Sequence, residues 1–268
     1  MSDLPPSPEA LLGLAVEAGE AAAALLLDGL HRQRTLVATK SSTTDMVTEM
    51  DRRSEALIVD HLLRTRPDDG ILGEEGTERP STSGVTWVID PLDGTTNYLY
   101  GYPGFSVSIA AVGGGGTLAA AVVDPIHRET WTATAGGGAH CNGDPLAGPG
   151  HPPLGATLLA TGFSYDPARR ARQGQVLAAV LPQVRDIRRG GGAAIDLCWV
   201  AGGRVDAFYE RGLAPWDLAA GALIAAEAGA RVADLDGTPA GGEGVLAAHP
   251  ERFAELASCL LAAGAPQA

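Results

Sequence analysis

The sequence predicts an α/β fold in which helices and strands stack in layers. Three observations carry that reading. Apolar residues recur at helical spacing in the first third of the chain, at alternating spacing from Phe105 to Val123, and in short strand-like and Ala-rich helical runs by turns after Leu154. Glycines and prolines gather between these runs rather than inside them. With 268 residues and 45% hydrophobic content, the chain can bury a core large enough for one big domain or two joined halves.

Glu9 to Leu30, rich in Ala and Leu and interrupted by Glu17, Glu20 and Asp28, reads as an amphipathic helix. A second helix is expected from about Glu49 to Arg64, with Ala56, Leu57, Val59, Leu62 and Leu63 on one side and Pro67 stopping it. Ile71 and Leu72 make a short strand that ends in Gly73-Glu74-Glu75-Gly76, and Trp87-Val88-Ile89 makes another that ends at Asp90. Phe105, Val107, Ile109 and Ala111 alternate as a half-buried strand, Thr117 to Val123 is its partner, and Glu129 to Ala133 is a third. The Gly113 to Gly116 and Gly136 to Gly138 runs are turns, since neither has the G-x-G-x-x-G context of a nucleotide loop.

Leu146 to Leu154 marks a joint, so one unit spanning 1–268 divides into an N-terminal half of about 1–145 and a C-terminal half of about 155–268. The second half reads as a strand near Thr157 to Thr161, a helix capped by Asp166 and Pro167, a turn at Gly190 to Gly192 and a helix through Gly202. A strand from Arg204 to Tyr209, a helix from about Asp217 to Ala228, strands near Val232 and Val245 and a helix from Pro250 to Ala263 complete it.

A net charge of −13 repels nucleic acid and anionic membranes, so neither is an expected partner, and a phosphate ester would need metal to hold it. Three widely spaced cysteines indicate neither a disulfide framework nor a thiolate zinc site, and a reducing, cytoplasmic location fits them. The N-terminus has no basic region before its apolar stretch, and the run Ala21 to Leu27 is too short to span a bilayer. Arg169, Arg170 and Arg172 read as a solvated helix face, and no basic, aromatic nucleotide pocket is evident.

The chemistry is concentrated in Trp87 to Tyr98. Asp90 and Asp93 leave a strand as a pair of potential cation ligands, and Gly94, Thr95 and Thr96 follow as a turn with hydroxyls and backbone N–H groups suited to an anion. A cation site running into an anion seat suggests phosphate-ester chemistry with hard divalent ions. Glu74 with Glu75 alone would be solvated loop charges. Asp217 alone would be a first-turn acid on a helix, worth about 0.5–2 kcal/mol. Asp90 ends an apolar run, which implies burial and a partner or metal.

Together, Gly73-Glu74-Glu75, Trp87 to Asn97, and Trp216-Asp217 with its Ala/Gly-rich helix resemble the signature blocks of the inositol monophosphatase family. Lys40 to Asp51, Asn142-Gly143, Arg188 to Cys198 and Gly203 to Glu210 extend the resemblance over essentially the whole chain. It implies a layered α-β-α-β-α sandwich of the inositol monophosphatase and fructose bisphosphatase type. It also implies a magnesium-dependent, lithium-sensitive phosphomonoesterase acting on inositol 1-phosphate or a similar small phosphorylated polyol, assembled as a homodimer.

By the same resemblance Glu74, Asp90 and the carbonyl of Leu92 hold one Mg²⁺, and Asp90, Asp93 and Asp217 a second. Mn²⁺ is a possible substitute, as expected for oxygen-only ligands. Glu74 and Thr95 serve the attacking water, and Asp45 a further water or a third, weaker metal. Gly94, Thr95 and Thr96 hold the phosphate. Glu210, Gly191, Gly192 and Ala193 line the leaving-group pocket, with Gly192 standing where many relatives carry Ser or Thr. Related histidinol-phosphate phosphatases often have Lys at the Thr96 position, so Thr96 favours inositol phosphate. Histidinol phosphate, fructose 1,6-bisphosphate and 3′-phosphoadenosine 5′-phosphate are the rival substrates within the fold, and a non-catalytic binding protein is the rival of another class.

Overall fold

Leu11, Ala15, Ala18, Ala22, Leu26 and Leu30, three or four residues apart, are all buried, and this stripe determines how the first helix packs. The computed structural model describes residues 7–36, 43–241 and 244–267, with side chains for all of these except 31–36, 43–48 and 267. Helix α1 (Pro8–Leu36) lies with α2 (Thr43–Thr65) on one face of a large sheet, in a core that includes Ile58, Trp87, Ile89 and Ile109. Within residues 8–30 of α1 an 18-residue window reaches a mean hydropathy of 1.8, long and apolar enough to cross a membrane by length and composition. The expectation from Ala21 to Leu27 alone understated that length, and the apolarity is used in packing against the sheet. Helix α2 begins six residues earlier than the expected Glu49.

That sheet comprises β1 (Gly70–Gly73), β2 (Glu78–Arg79), β3 (Thr86–Asp93), β4 (Ser106–Gly113), β5 (Gly116–Asp124), β6 (Glu129–Thr134), β7 (Gly138–Cys141) and β8 (Asp144–Pro145), with the short helix α3 (Thr95–Tyr100) between β3 and β4. Its order is β2-β1-β3-β4-β5-β6-β7-β8, and β1 and β3 form its parallel pair. The last hairpin turns on Asn142-Gly143, both with φ > 0, and the Asn142 side chain ties down Thr130 N–H and the Arg128 carbonyl.

One irregularity in this sheet positions the chemistry. Asp90 pairs with Ser108, but Asp93 pairs with Ser106, so three steps along β3 match two along β4. Side chains three apart on a regular strand point to opposite faces. The bulge at Pro91 and Leu92 absorbs the extra residue and returns Asp93 to the face of Asp90. Pro91, which has no N–H to give a ladder, suits that place. Its carbonyl accepts from Ser54 Oγ of α2 at 2.9 Å.

The second half builds a five-stranded sheet from β9 (Leu158–Thr161), β10 (Asp186–Arg188), β11 (Ala207–Glu210), β12 (Arg231–Ala233) and β13 (Val245–Ala248), in the order β10-β9-β11-β13-β12. Helices α4 (Pro167–Val180) and α7 (Pro250–Ala262) cover one face through Val176, Val180, Phe253 and Leu256. Helices α5 (Ala193–Ala201) and α6 (Pro215–Glu227) are sandwiched between the two sheets, touching the first through Ala194, Cys198 and Ile224 and the second through Leu197, Val200 and Leu218. The result is the α-β-α-β-α sandwich, with the two halves meeting on α5 and α6. Strand β11 starts at Ala207 rather than Arg204, because Arg204 turns out to an ion pair with Glu129 at 2.5 Å.

Asp69, 1% exposed, anchors the entrance to β1 by accepting from Arg66 Nη2 at 2.8 Å and Trp87 Nε1 at 2.9 Å. Asp69→Ala strands both donors inside, and a loss of about 3 kcal/mol in the free energy of urea unfolding is the expected outcome.

Candidate active site

Four carboxylates from three elements line a cavity of about 350 Å³ between the halves: Glu74 after β1, Asp90 and Asp93 on β3, and Asp217 in the first turn of α6. Backbone donors aim each aspartate. Asp90 Oδ1 accepts from Leu92 N–H at 3.0 Å, Asp93 Oδ2 from Ala194 N–H at 2.8 Å, and Asp217 Oδ2 from Ala214 N–H at 2.6 Å. Asp217 therefore is a capping acid at N3, as its local sequence suggested, and also faces the cavity. Ala214 has no side-chain acceptor, so only this half of a capping box exists. Glu74 is held by its N–H to the Ile89 carbonyl at 3.1 Å, and Glu55, 3% exposed, braces the same loop by accepting from Glu75 and Thr77 N–H.

Burial raises the pKa of all four carboxyls, and their mutual repulsion adds to it for Glu74, Asp90 and Asp93, the last being pushed to about 7. Glu74 and Asp90 share a hydrogen bond. No cationic side chain is among the leading influences on any of them. Among the described residues, no three acidic, imidazole or thiol groups are already closed into a coordination shell. Buried, mutually repelling oxygen donors with no leading counter-charge among the described residues fit hard divalent cations drawn in among them.

Next to these acids, Gly94 caps α3 with φ 90, and a Cβ there would lie 3.0 Å from the Gly104 carbonyl as well as straining the backbone. The first N–H groups of α3 have no helical acceptor. Thr95 Oγ1 donates to the Leu92 carbonyl at 3.1 Å, leaving that oxygen a second lone pair. Asn97 ties the two halves at this point, donating to Gly104 O at 2.6 Å and Gly190 O at 2.9 Å.

Gly191, Gly192, Ala193 and Glu210 form the opposite wall. A Cβ on Gly192 would sit 2.8 Å from Asp93 Oδ2, so glycine lets the loop press against the carboxylate that Ala194 holds. The Glu210 carboxyl, packed on Gly162, is raised to about 8 by burial, against which Arg189 works. Of the expected site residues whose side chains are described, all but Thr96 line this cavity; Thr96 is exposed, its Oγ1 3.3 Å from the Tyr165 hydroxyl. Asp45 lies in the first turn of α2 with its side chain outside the described residues.

Sequence reasoning missed two acids. Asp51 of α2, 6% exposed, lies behind the Glu74 loop and is raised to about 7 by burial, with Glu75 and Glu74 adding to it. Asp196 of α5, 1% exposed, lines the cavity with Oδ1 unpartnered among the described residues. The signal available was a carboxylate at a core position of each helix. The solvated-face reading of the arginines also fails in part: the Arg169 guanidinium lies against Gly212 at the cavity rim, and Arg170 Nη1 donates to Ser164 O and Tyr165 O. With Phe163, Tyr165, Arg189 and Arg211 in the wall, a basic and aromatic rim exists after all. The elements that form it are far apart in sequence.

The sequence model of the inositol monophosphatase family matches residues 7–264. An inositol-1-monophosphatase of Mycobacterium bovis is 51% identical over 237 residues, covering 84% of this chain and 81% of that protein. A protein of Escherichia coli named Nus factor SuhB is 42% identical over 229 residues, covering 85% and 86%. The solved structure of Mycobacterium tuberculosis SuhB superposes with a TM-score of 0.83 at 43% identity, over 96% of this chain and 98% of that one.

Because Glu55 satisfies two backbone donors beside Glu74, Glu55→Ala is expected to destabilise the fold by about 2–4 kcal/mol in urea titration. Amide hydrogen exchange at Glu75 and Thr77 should rise more than at β5; uniform protection would contradict the bracing role.

Proposed function

The chain belongs to the inositol monophosphatase family, and on that premise we propose that this phosphatase is Mg²⁺-dependent and hydrolyses inositol 1-phosphate or a closely similar polyol phosphate. The observation that carries the reading is the convergence of Glu74, Asp90, Asp93 and Asp217 on one cavity, with no cationic partner among the described residues, beside the glycine-capped start of α3. Glu74, Asp90 and the Leu92 carbonyl would hold one divalent ion, and Asp90, Asp93 and Asp217 another. Such ions supply polarisation of the phosphoryl oxygens and a lowered pKa for bound water.

The protein's own groups do the positioning. Thr95 Oγ1, directed by its bond to the Leu92 carbonyl, orients a water against phosphorus, and Glu74 takes its proton. The water oxygen forms the new bond to phosphorus as the ester P–O bond breaks, and the leaving alkoxide takes up a proton. N–H groups of Gly94, Thr95 and Thr96 face the non-bridging oxygens, where charge develops. Glu210 accepts from a hydroxyl of the leaving group.

Phosphate release from inositol 1-phosphate should require Mg²⁺ and stop on chelation, with Mn²⁺ restoring part of it. Asp90→Asn should lower kcat/KM by about 10³-fold or more, and millimolar-range lithium should inhibit. No release by the wild type, or undiminished release by Asp90→Asn, sinks the proposal.

A further inference from the structure

The face that β4 turns toward α5 and α6 is polar at two places. Ser106 and Ser108 stand there, directly across the ladder from Asp93 and Asp90, and both are buried. Farther along the same face the strand is apolar, with Ala110 opposite Val88 and Val112 opposite Thr86. The alternate residues Phe105, Val107 and Ile109 belong to the core under α1 and α2. Hydroxyls on β4 are thus confined to the positions beside the two acids.

Ser108 Oγ donates to the Trp216 carbonyl of α6 at 3.4 Å. Ser106 is fully buried, and its Oγ has no hydrogen-bond partner among the described residues. A sealed hydroxyl without an acceptor costs stability, and alanine would fill the same place without that cost. What stands opposite it is Asp93. Residues paired across an antiparallel ladder share a face with Cβ atoms about 4.5–5.5 Å apart, within reach of a serine hydroxyl and an aspartate carboxylate. Asp93 already takes backbone donors from α5, the Ala194 N–H at 2.8 Å on Oδ2 and that of Ala193. A carboxylate has about four acceptor sites, so it retains room for a donor arriving from β4.

We propose that Ser106 is a positioning residue: its hydroxyl donates to the Asp93 carboxylate when that group ligates a divalent cation, fixing Asp93 from β4 as Ala194 fixes it from α5. Carboxylates that ligate cations are themselves held by hydrogen bonds, and losing such a donor weakens cation affinity. The inference rests on the cation reading of the four acids above and adds to it a residue that touches neither cation nor substrate.

Calorimetric titration of Mg²⁺ into chelator-treated protein tests this in wild type, Ser106→Ala and Ser106→Thr. A binding step should weaken about tenfold in Kd in Ser106→Ala, while Ser106→Thr, which keeps a hydroxyl, should stay within about threefold of wild type. In EDTA the urea midpoint of Ser106→Ala should equal or exceed that of wild type, because the substitution removes an unsatisfied hydroxyl; a residue that only supports the fold would lower it. A Kd for Ser106→Ala within about twofold of wild type, equal weakening by alanine and threonine, or an EDTA midpoint that falls together with affinity overturns the proposal, and Mg²⁺ binding by the wild type then leaves the metal reading intact. If the wild type itself binds no Mg²⁺, the metal reading fails and the proposal with it.

Discussion

A single extra residue in β3 is the constraint on which the site depends. Without it Asp90 and Asp93 would project from opposite faces of the sheet, one toward α1 and α2 and one toward α5. The bulge at Pro91 and Leu92 places both on the face that meets α5 and α6, while Leu92 stays in the core on the opposite side. It also leaves the Leu92 carbonyl free of a regular ladder, where Thr95 reaches it. Ser54 of α2 then fixes the bulge from behind through the Pro91 carbonyl. The strand, the helix beneath it and the turn above it are thus held by short bonds around one irregularity.

The electrostatic design follows from burial. Four carboxyls crowded into a poorly solvated wall resist ionisation, and among the described residues no cation leads in relieving them. The alternatives available to them are to share protons or to take up external cations. The far side of the cavity mixes both signs, with Arg169 and Arg189 near Glu210 and Arg189 also near the buried Asp196. Asn97 spans the gap, with one amide group serving Gly104 in the first half and Gly190 in the second.

Legibility in the sequence varied with the range of the interaction. Gly94 and Asp217 could be read because their roles are set within one turn of helix. The short strand β10 was passed over, since three residues with exposed ends carry no periodic signal. Asp51 was overlooked in favour of Asp45 on the same helix, because only packing against the Glu74 loop distinguishes a buried acid from a turn acid. Arg169 looked like a solvated charge for the same reason: its neighbour Glu210 belongs to another element.

What this sequence determined by itself was the α/β layering and which acids stand at the ends of its elements, since hydrophobic period, turn residues and residue chemistry are local properties. Only the tertiary structure decided that Asp90 and Asp93 share a face, that Asp217 meets them, and that Glu210 and Arg189 line the same cavity. Facing depends on strand register, and proximity on how two sheets pack across α5 and α6, and neither is a property of any single segment.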